Sequence, residues 1–343
     1  MRRAFHLGNC KELIPLADIQ SARQRIAPFV RATPLVRSHS LSEQFETNLY
    51  LKLEMLQRTG AFKVRGAFNK MLALNASERR RGVVAVSGGN HAQAVAYAAR
   101  ALNLRSLILM PEFTPGNYLS ATRSYGAEIR LTRTLAEAFR EIPFYESEGW
   151  TYIHPFDDPQ VIAGQATIAL EILEDLPEVT DVVVSIGGGG LAGGIASGLK
   201  ALKPDVRIWG VETEGAESMA SALAAGCVVE LPAVTSIART LGAPAVSETT
   251  LALAQKYLEG VIVVSDAEAI EALFVLLEQA KVLTEPAASC TLAAARRLRT
   301  KFSKQSNVVL ILCGGNVALE DLYQTTNAAP PAADLALEDS IAI

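Results

Sequence analysis

Three segments of this chain share one order of events: a short run of β-branched residues, a glycine-containing loop, and an apolar stretch of helical character. Val83 to Val86 leads into Ser87-Gly88-Gly89-Asn90-His91 and a predicted helix from about Ala92 to Leu102. Val182 to Ile186 leads into Gly187-Gly188-Gly189-Gly190 and a predicted helix to about Leu202, and Val308 to Leu312 leads into Cys313-Gly314-Gly315-Asn316 and the Ala318-Leu319 segment. Runs that are apolar throughout, with no in-out alternation, are what strands buried on both faces require. The fold class is therefore α/β, with two open, mainly parallel twisted sheets flanked by helices. Further strands fit Ser106 to Met110, Glu128 to Leu131, Arg207 to Val211 and Val261 to Val264; helices fit Ala267 to Lys281 and Ala287 to Lys301. The helix before Arg207 must stop at Lys203-Pro204, because proline cannot continue it.

A chain of 343 residues corresponds to about two domains at ~150 residues each. Half of it is hydrophobic and a fifth is charged, which excludes disordered and fibrous classes. The net charge of -4 provides no positive field for a nucleic-acid backbone, so no nucleic-acid partner is expected. The four cysteines and four histidines are scattered, with no C-x-x-C pair and no metal-ligand spacing, so a reducing cytoplasm and no metal site are expected. The N-terminal MRRAFHLGNC lacks the apolar core of an export signal. Val182 to Leu199 carries no charge, yet Gly187 to Gly190 and Gly193, Gly194 and Gly198 would break a spanning helix, so no membrane is expected. Glu78-Arg79-Arg80-Arg81 reads as a solvated helix end before Gly82. Residues 326–343, with Pro330-Pro331 and many alanines, read as a mobile tail, leaving no room for a regulatory domain.

Gly187 to Gly190 is the first candidate for chemistry. Four glycines opening a helix let backbone amides converge on one anion at the positive end of the helix dipole. A tight turn that needs positive φ is the simpler reading of the same residues. No lysine follows in P-loop spacing, and the G-x-G-x-x-G match from Gly188 to Gly193 has no convincing acidic partner. Lys63 follows Gly60-Ala61-Phe62 at a predicted helix start; if enclosed, its amine would have a lowered pKa suited to Schiff-base chemistry. His91 and His154 read as packing or capping residues rather than acid-base groups.

Over roughly residues 20 to 322 the chain resembles the threonine and serine dehydratases of pyridoxal-phosphate (PLP) fold type II, the tryptophan synthase beta family. Gln57-Arg58-Thr59-Gly60-Ala61-Phe62-Lys63-Val64-Arg65-Gly66-Ala67 is similar to that family's Schiff-base motif, and Ser87-Gly88-Gly89-Asn90-His91 to its substrate-carboxylate loop. His154-Pro155-Phe156-Asp157-Asp158 with Val161-Ile162-Ala163-Gly164-Gln165 matches another dehydratase stretch. Ser185 to Leu191 resembles the phosphate loop, and Cys313-Gly314-Gly315-Asn316 the strand end beneath the pyridine nitrogen.

The resemblance implies that Lys63 carries PLP and removes the Cα proton, that Phe62 flanks the ring, and that Asn90 bonds its 3-oxygen. Gly187, Gly188, Gly189, Gly190 and Leu191 would hold the phosphate. Cys313 would face the ring nitrogen as a neutral thiol, unless it is merely a small residue closing a strand. Ser87, Gly88, Asn90 and His91 would bind the substrate. The implied reaction is β-elimination of water from L-threonine, L-serine or a related β-hydroxy amino acid by a homodimer, giving a 2-oxoacid and ammonia. A racemase or β-replacement enzyme, and a PLP- or amino-acid-binding regulatory protein without turnover, are the alternatives.

Several departures from the pattern matter. Ala61 stands where a serine is usual, and Gly88 where serine racemases carry their second acid-base serine, which argues against racemisation. Glu212 corresponds to a cation-binding glutamate of relatives, but Glu217-Ser218 supplies no clean second carboxylate, so a divalent cation is left open. Thr235 to Gly242 lacks the usual Asp-Gly after Ile237-Ala238, so the substrate end of the pocket is expected to differ. The domain layout expected is a large PLP-binding domain of residues 1–77 and 153–325, and a small domain of residues 78–152 inserted into it.

Overall fold

The computed structural model describes residues 13–318. The expected tail at 326–343 lies outside the described residues. In chain order the strands are β1 (Leu35–Arg37), β2 (Asn48–Lys52), β3 (Val83–Val86), β4 (Ser106–Pro111), β5 (Glu128–Thr132), β6 (Thr151–Tyr152), β7 (Asp181–Ser185), β8 (Arg207–Thr213), β9 (Gly260–Val264) and β10 (Asn307–Ile311). They form two sheets, one ordered β1-β2-β10-β7-β8-β9 and the other β5-β4-β3-β6. Every pairing is parallel except β1 with β2. This is the α/β architecture that the apolar runs require. β3, β4 and β7 are buried at every position, whereas the edge strands β5 and β9 are largely accessible. All four strands of the second sheet come from residues 83–152. No helix among the described residues is long and apolar enough to cross a membrane.

Helix boundaries follow local chemistry. Glu78-Arg79-Arg80-Arg81 ends the helix Ala76–Arg81, which opens with a capping box between Asn75 and Glu78, as its charge pattern indicates. Helix Gly190–Leu202 stops just before Lys203-Pro204. The third repeat of strand, loop and helix is a correction. Residues 313–318 form no helix, and Leu319 lies outside the described residues. The loop after β10 is instead held against the loop before Lys63: Ala61 bridges Gly314, Phe62 N donates to Cys313 O at 3.0 Å, and Gly315 N donates to Gly60 O at 2.9 Å.

The helices Val64–Leu72 and Pro159–Asp175 cross with their backbones nearly touching. A Cβ at Gly66 would lie 2.7 Å from Val161 O, and one at Gly164 would lie 2.6 Å from the Gly66 Cα. That approach explains why the Arg65-Gly66-Ala67 and Ala163-Gly164-Gln165 stretches occur together. Beside the crossing lies a fully buried ionic cluster. Arg65 Nε and Nη2 donate to the two oxygens of Glu54 at 2.9 and 2.8 Å, while Nη1 and Nη2 donate to Glu171 at 2.6 and 2.9 Å. Lys52 Nζ donates to Glu171 Oε2 at 2.7 Å and to Thr33 O at 2.6 Å. Two cations face two carboxylates, so the buried set is electrically neutral. Burial opposes ionisation of Glu171, but Arg65 and Lys52 hold its carboxyl below the ordinary range.

Replacing Arg65 by methionine leaves two buried carboxylates with Lys52 as the remaining buried cation and the partly exposed Arg23 3.9 Å from Glu171. The expected cost is about 3–5 kcal/mol of stability, read as a lowered midpoint in chemical denaturation; an unchanged midpoint would show that the cluster is not structural.

Candidate active site

The carboxyl ends of β3, β7 and β10 supply three loops, and side chains from all three meet. β7 and β10 are neighbours, so Ser185 and Cys313 lie together, with Cys313 Sγ 3.9 Å from Ser185 Oγ. Asn90, opening the helix after β3, reaches across to the other sheet. Its Oδ1 accepts from Asn316 Nδ2 at 2.8 Å and its Nδ2 donates to Glu285 Oε1 at 2.8 Å. Asn316 Nδ2 also donates to Thr59 O at 2.7 Å, which ties this bridge to the turn before Lys63.

Lys63 immediately precedes the helix Val64–Leu72. It stands in the wall of the site, partly reachable by solvent, and its Nζ donates to Pro155 O at 2.8 Å. Enclosure of the amine lowers its pKa to about 8, against opposing contributions from Cys313 and Glu285. Phe62 is buried beside it, with Nζ 5.1 Å from the ring centroid. Burial raises the Cys313 thiol well above its ordinary value, so the group at the end of β10 is neutral.

The four-glycine loop is required from the protein side as well as suited to an anion. Side chains at Gly188 and Gly190 would run into Phe156, whose neighbour Pro155 accepts from Lys63. A Cβ at Gly187 would press on the Leu241 backbone at 3.1 Å, and Gly189 adopts φ +90. Positive φ therefore accounts for one glycine of the four, and close packing for the others. Helix Gly190–Leu202 opens with no side-chain cap on its N–H groups, and Leu191 is buried in its first turn. Helix Asn90–Ala101 likewise begins at Gly89 with no side-chain cap, although Gly89 N takes Ser87 Oγ as acceptor at 3.0 Å. Both helix starts present backbone donors to an anion.

A side chain at Gly88 would meet Thr114 Oγ1 at 2.8 Å, and one at Gly89 would meet Thr240 Cγ2 at 3.4 Å. The 3-10 turn Arg239–Leu241, where the sequence departs from the dehydratase pattern, thus contacts both glycine loops. His91 and His154, read from the sequence as packing or capping residues, each have one ring nitrogen engaged by the backbone, while His91 Nδ1 is buried without a partner. His91 Nε2 is committed to Ile153 O at 2.8 Å, and burial lowers its pKa to about 3. His154 Nδ1 accepts from Phe156 N and Asp157 N, and burial lowers its pKa to about 4. Glu212 accepts from Met219 N and Ala220 N, both at 2.8 Å, at the start of helix Ser218–Ala225. No group of three or more His, Cys, Asp or Glu placed to hold a metal occurs among the described residues.

Sequence reasoning missed Glu285, Asn316 and the Pro155 carbonyl. Asn316 was in view within Cys313-Gly314-Gly315-Asn316, but its bond to Asn90 spans more than 200 residues and leaves no local signal. Glu285-Pro286 reads only as a helix start.

The donor set fits a phosphorylated aldehyde with a basic ring nitrogen: an amine of lowered pKa, a neutral thiol at one strand end, and a glycine-walled helix start for the phosphate. The model for "Pyridoxal-phosphate dependent enzyme" matches residues 26–314. An L-threonine ammonia-lyase from Thermotoga maritima is 40% identical over 317 residues, covering 92% of this chain and 79% of the relative. The processed form of threonine deaminase isoform 2 from Solanum lycopersicum superimposes with a TM-score of 0.88 at 34% identity, over 94% of both chains. Maize serine racemase superimposes with a TM-score of 0.86 at 35% identity, over 92% of this chain and 98% of that one.

Gly188→Ala forces the Phe156 ring and the glycine loop apart. Affinity for pyridoxal phosphate, read by titration of the cofactor-free protein, is expected to fall by about tenfold or more, equivalent to ~1.4 kcal/mol. Wild-type affinity in this variant would remove the loop from the binding site.

Proposed function

The chain belongs to the pyridoxal-phosphate dependent enzymes, and we propose that it is an ammonia-lyase acting on L-threonine or L-serine by β-elimination of water. The observation that carries the reading is the setting of Lys63: an enclosed amine of pKa about 8, between a glycine-walled helix start and a neutral thiol.

Lys63 would hold the cofactor covalently, with Phe62 along the ring, Asn90 at the 3-oxygen, Cys313 at the ring nitrogen, and Gly187 to Gly190 with Leu191 around the phosphate. When bound, pyridoxal phosphate supplies an electron sink for the bonds at the substrate Cα. Lys63 Nζ, once the substrate amine has displaced it and largely neutral at slightly alkaline pH, would take the Cα proton. The β C–O bond would then break, and the hydroxyl would leave as water with one proton, which balances the one that Lys63 takes from Cα. The released aminoacrylate-type product reacts with water to give the 2-oxoacid and ammonia. Ser87, Gly88 and the N–H groups opening helix Asn90–Ala101 would fix the substrate carboxylate, with His91 contributing its backbone rather than its committed Nε2. A neutral thiol does not protonate the ring nitrogen, which limits carbanion lifetime and favours prompt loss of the β-substituent. Position 88 carries no hydroxyl to return a proton from the other face, which supports elimination over racemisation.

The division into a large domain of residues 1–77 and 153–325 and an inserted small domain of residues 78–152 is part of this proposal, with the site in the cleft between them. So are a homodimer and a cytoplasmic location. Leu56 and Leu283, both exposed along one groove, offer apolar surface that a second copy would cover. An exposed Cys227 thiol suits a reducing compartment.

Wild-type protein supplied with pyridoxal phosphate should release 2-oxoacid from L-threonine or L-serine, and Lys63→Ala should lose at least ~10³-fold of that rate. Chiral chromatography run in parallel should show no D-isomer at a comparable rate. Absence of 2-oxoacid, or racemisation that keeps pace with it, would overturn the reading.

A further inference from the structure

Glu285 belongs to none of the sequence motifs, yet it is the carboxylate that faces both Lys63 and Asn90. Its place is fixed at both ends. The backbone N–H donates to Gly314 O at 3.1 Å, which docks the start of helix Pro286–Arg297 under the β10 loop. The side chain is 3% exposed, and its Oε1 accepts from Asn90 Nδ2 at 2.8 Å. A Cβ added at Gly314 would stand 2.6 Å from Oε1 and 3.1 Å from Asn90 Nδ2, so this glycine leaves the room in which the carboxylate and the amide meet. The other oxygen, Oε2, is buried with no partner in hydrogen-bonding geometry, although the Thr240 hydroxyl lies close enough to favour the ionised form. A buried carboxylate oxygen left without a donor is costly in a purely structural residue and needs an explanation.

The charged and titratable groups facing Glu285 are few. Lys63 comes from the loop leading into helix Val64–Leu72, Cys313 from the end of β10, and Cys290 from the helix that Glu285 itself begins. Asn90 and Thr240, from the remaining elements, are uncharged. Burial raises both thiols, Cys290 to about 12 and Cys313 well above its ordinary value, so neither is an anion near neutral pH. That leaves Glu285 as the anionic partner of Lys63.

We propose that Glu285 is a positioning residue that acts through Lys63 and Asn90: its carboxylate is the counter-charge that lets Lys63 Nζ hold a proton inside the site, while Oε1 fixes the Asn90 amide. This deepens the lyase reading and rests on it for its catalytic meaning. When Lys63 takes up the Cα proton it becomes a buried ammonium, and the cost of that charge falls if a carboxylate faces it. The sign follows from the titrations. Burial raises Glu285 to about 7, against Thr240, Asn90 and the charge of Lys63. Above that pH the carboxylate supports the Lys63 ammonium; as pH falls through it, the support is lost.

The test is the pH dependence of Lys63 acylation by an amine-reactive reagent, read by mass spectrometry of the full chain freed of cofactor. In wild type the midpoint is expected near 8, as the enclosed amine requires. Glu285→Gln keeps an acceptor for Asn90 but removes the charge, and should lower the midpoint by about 0.5–1 unit, toward the low end for loss of a nearby opposite charge. Glu285→Asp, which keeps the charge, should restore most of the shift. An unchanged midpoint in Glu285→Gln overturns the proposal. A carbon-13 titration of Glu285 decides the matter if that variant does not fold: its midpoint, near 7 in the unmutated protein, should rise in Lys63→Met, where the facing ammonium is gone, and a midpoint that does not move contradicts the pairing. Neither readout depends on turnover, so failure of the lyase assay with the expected titrations would count against the reaction assigned and not against the pairing.

Discussion

The structure depends on how Arg65 is held. Its guanidinium is wholly buried, bonded on one side to Glu54 and on the other to Glu171, which also takes Lys52. These four residues come from β2, the turn after it, helix Val64–Leu72 and helix Pro159–Asp175. A buried ion set of this kind adds little net stability over an apolar core, but it tolerates very few arrangements, because any shift leaves a charge unpaired. Lys63 lies two residues away on the same backbone. The cluster therefore fixes the direction in which the Lys63 amine leaves the helix start, and the Gly66 to Gly164 crossing fixes how closely that helix approaches its neighbour.

The parallel sheets then determine what the amine meets. Adjacent strands β7 and β10 end side by side, so the glycine loop and Cys313 arrive together, while β3 delivers Asn90 from the other sheet. The result is a site with almost no free charge. His91 and His154 are held neutral by burial, Cys313 remains a thiol, and the two uncapped helix starts offer backbone N–H groups. In such surroundings one carboxylate and one amine govern the proton balance. The glycine walls serve the same end, since they allow Phe156 and Leu241 to close over the loop and exclude water.

Much of this was legible in the sequence, for reasons that can be stated residue by residue. Val83 to Val86, Val182 to Ile186 and Val308 to Leu312 announce doubly buried strands because Ser185 is the one polar residue in them, and the strands Val83–Val86, Asp181–Ser185 and Asn307–Ile311 lie there. β2 was not legible in that way: Lys52 ends it, and only the folded cluster makes a buried lysine acceptable there. β6 has two residues and no pattern to detect. The third repeat misled because Gly314 and Gly315 can open a helix, and the chain uses them instead to lie against Ala61 and Gly60. Lys63, Asn90, the four glycines and Cys313 stood in motifs. Glu285 did not, since its contact with Asn90 joins residues that are remote in sequence.

The claim on which the account turns is that Lys63 is the residue that holds the cofactor. The most direct measurement is borohydride reduction of the purified, cofactor-loaded protein, followed by peptide mapping of the phosphopyridoxyl mass. The account predicts a single modification on the peptide that contains Phe62-Lys63. Modification confined to another lysine, such as Lys52 or Lys281, would contradict it.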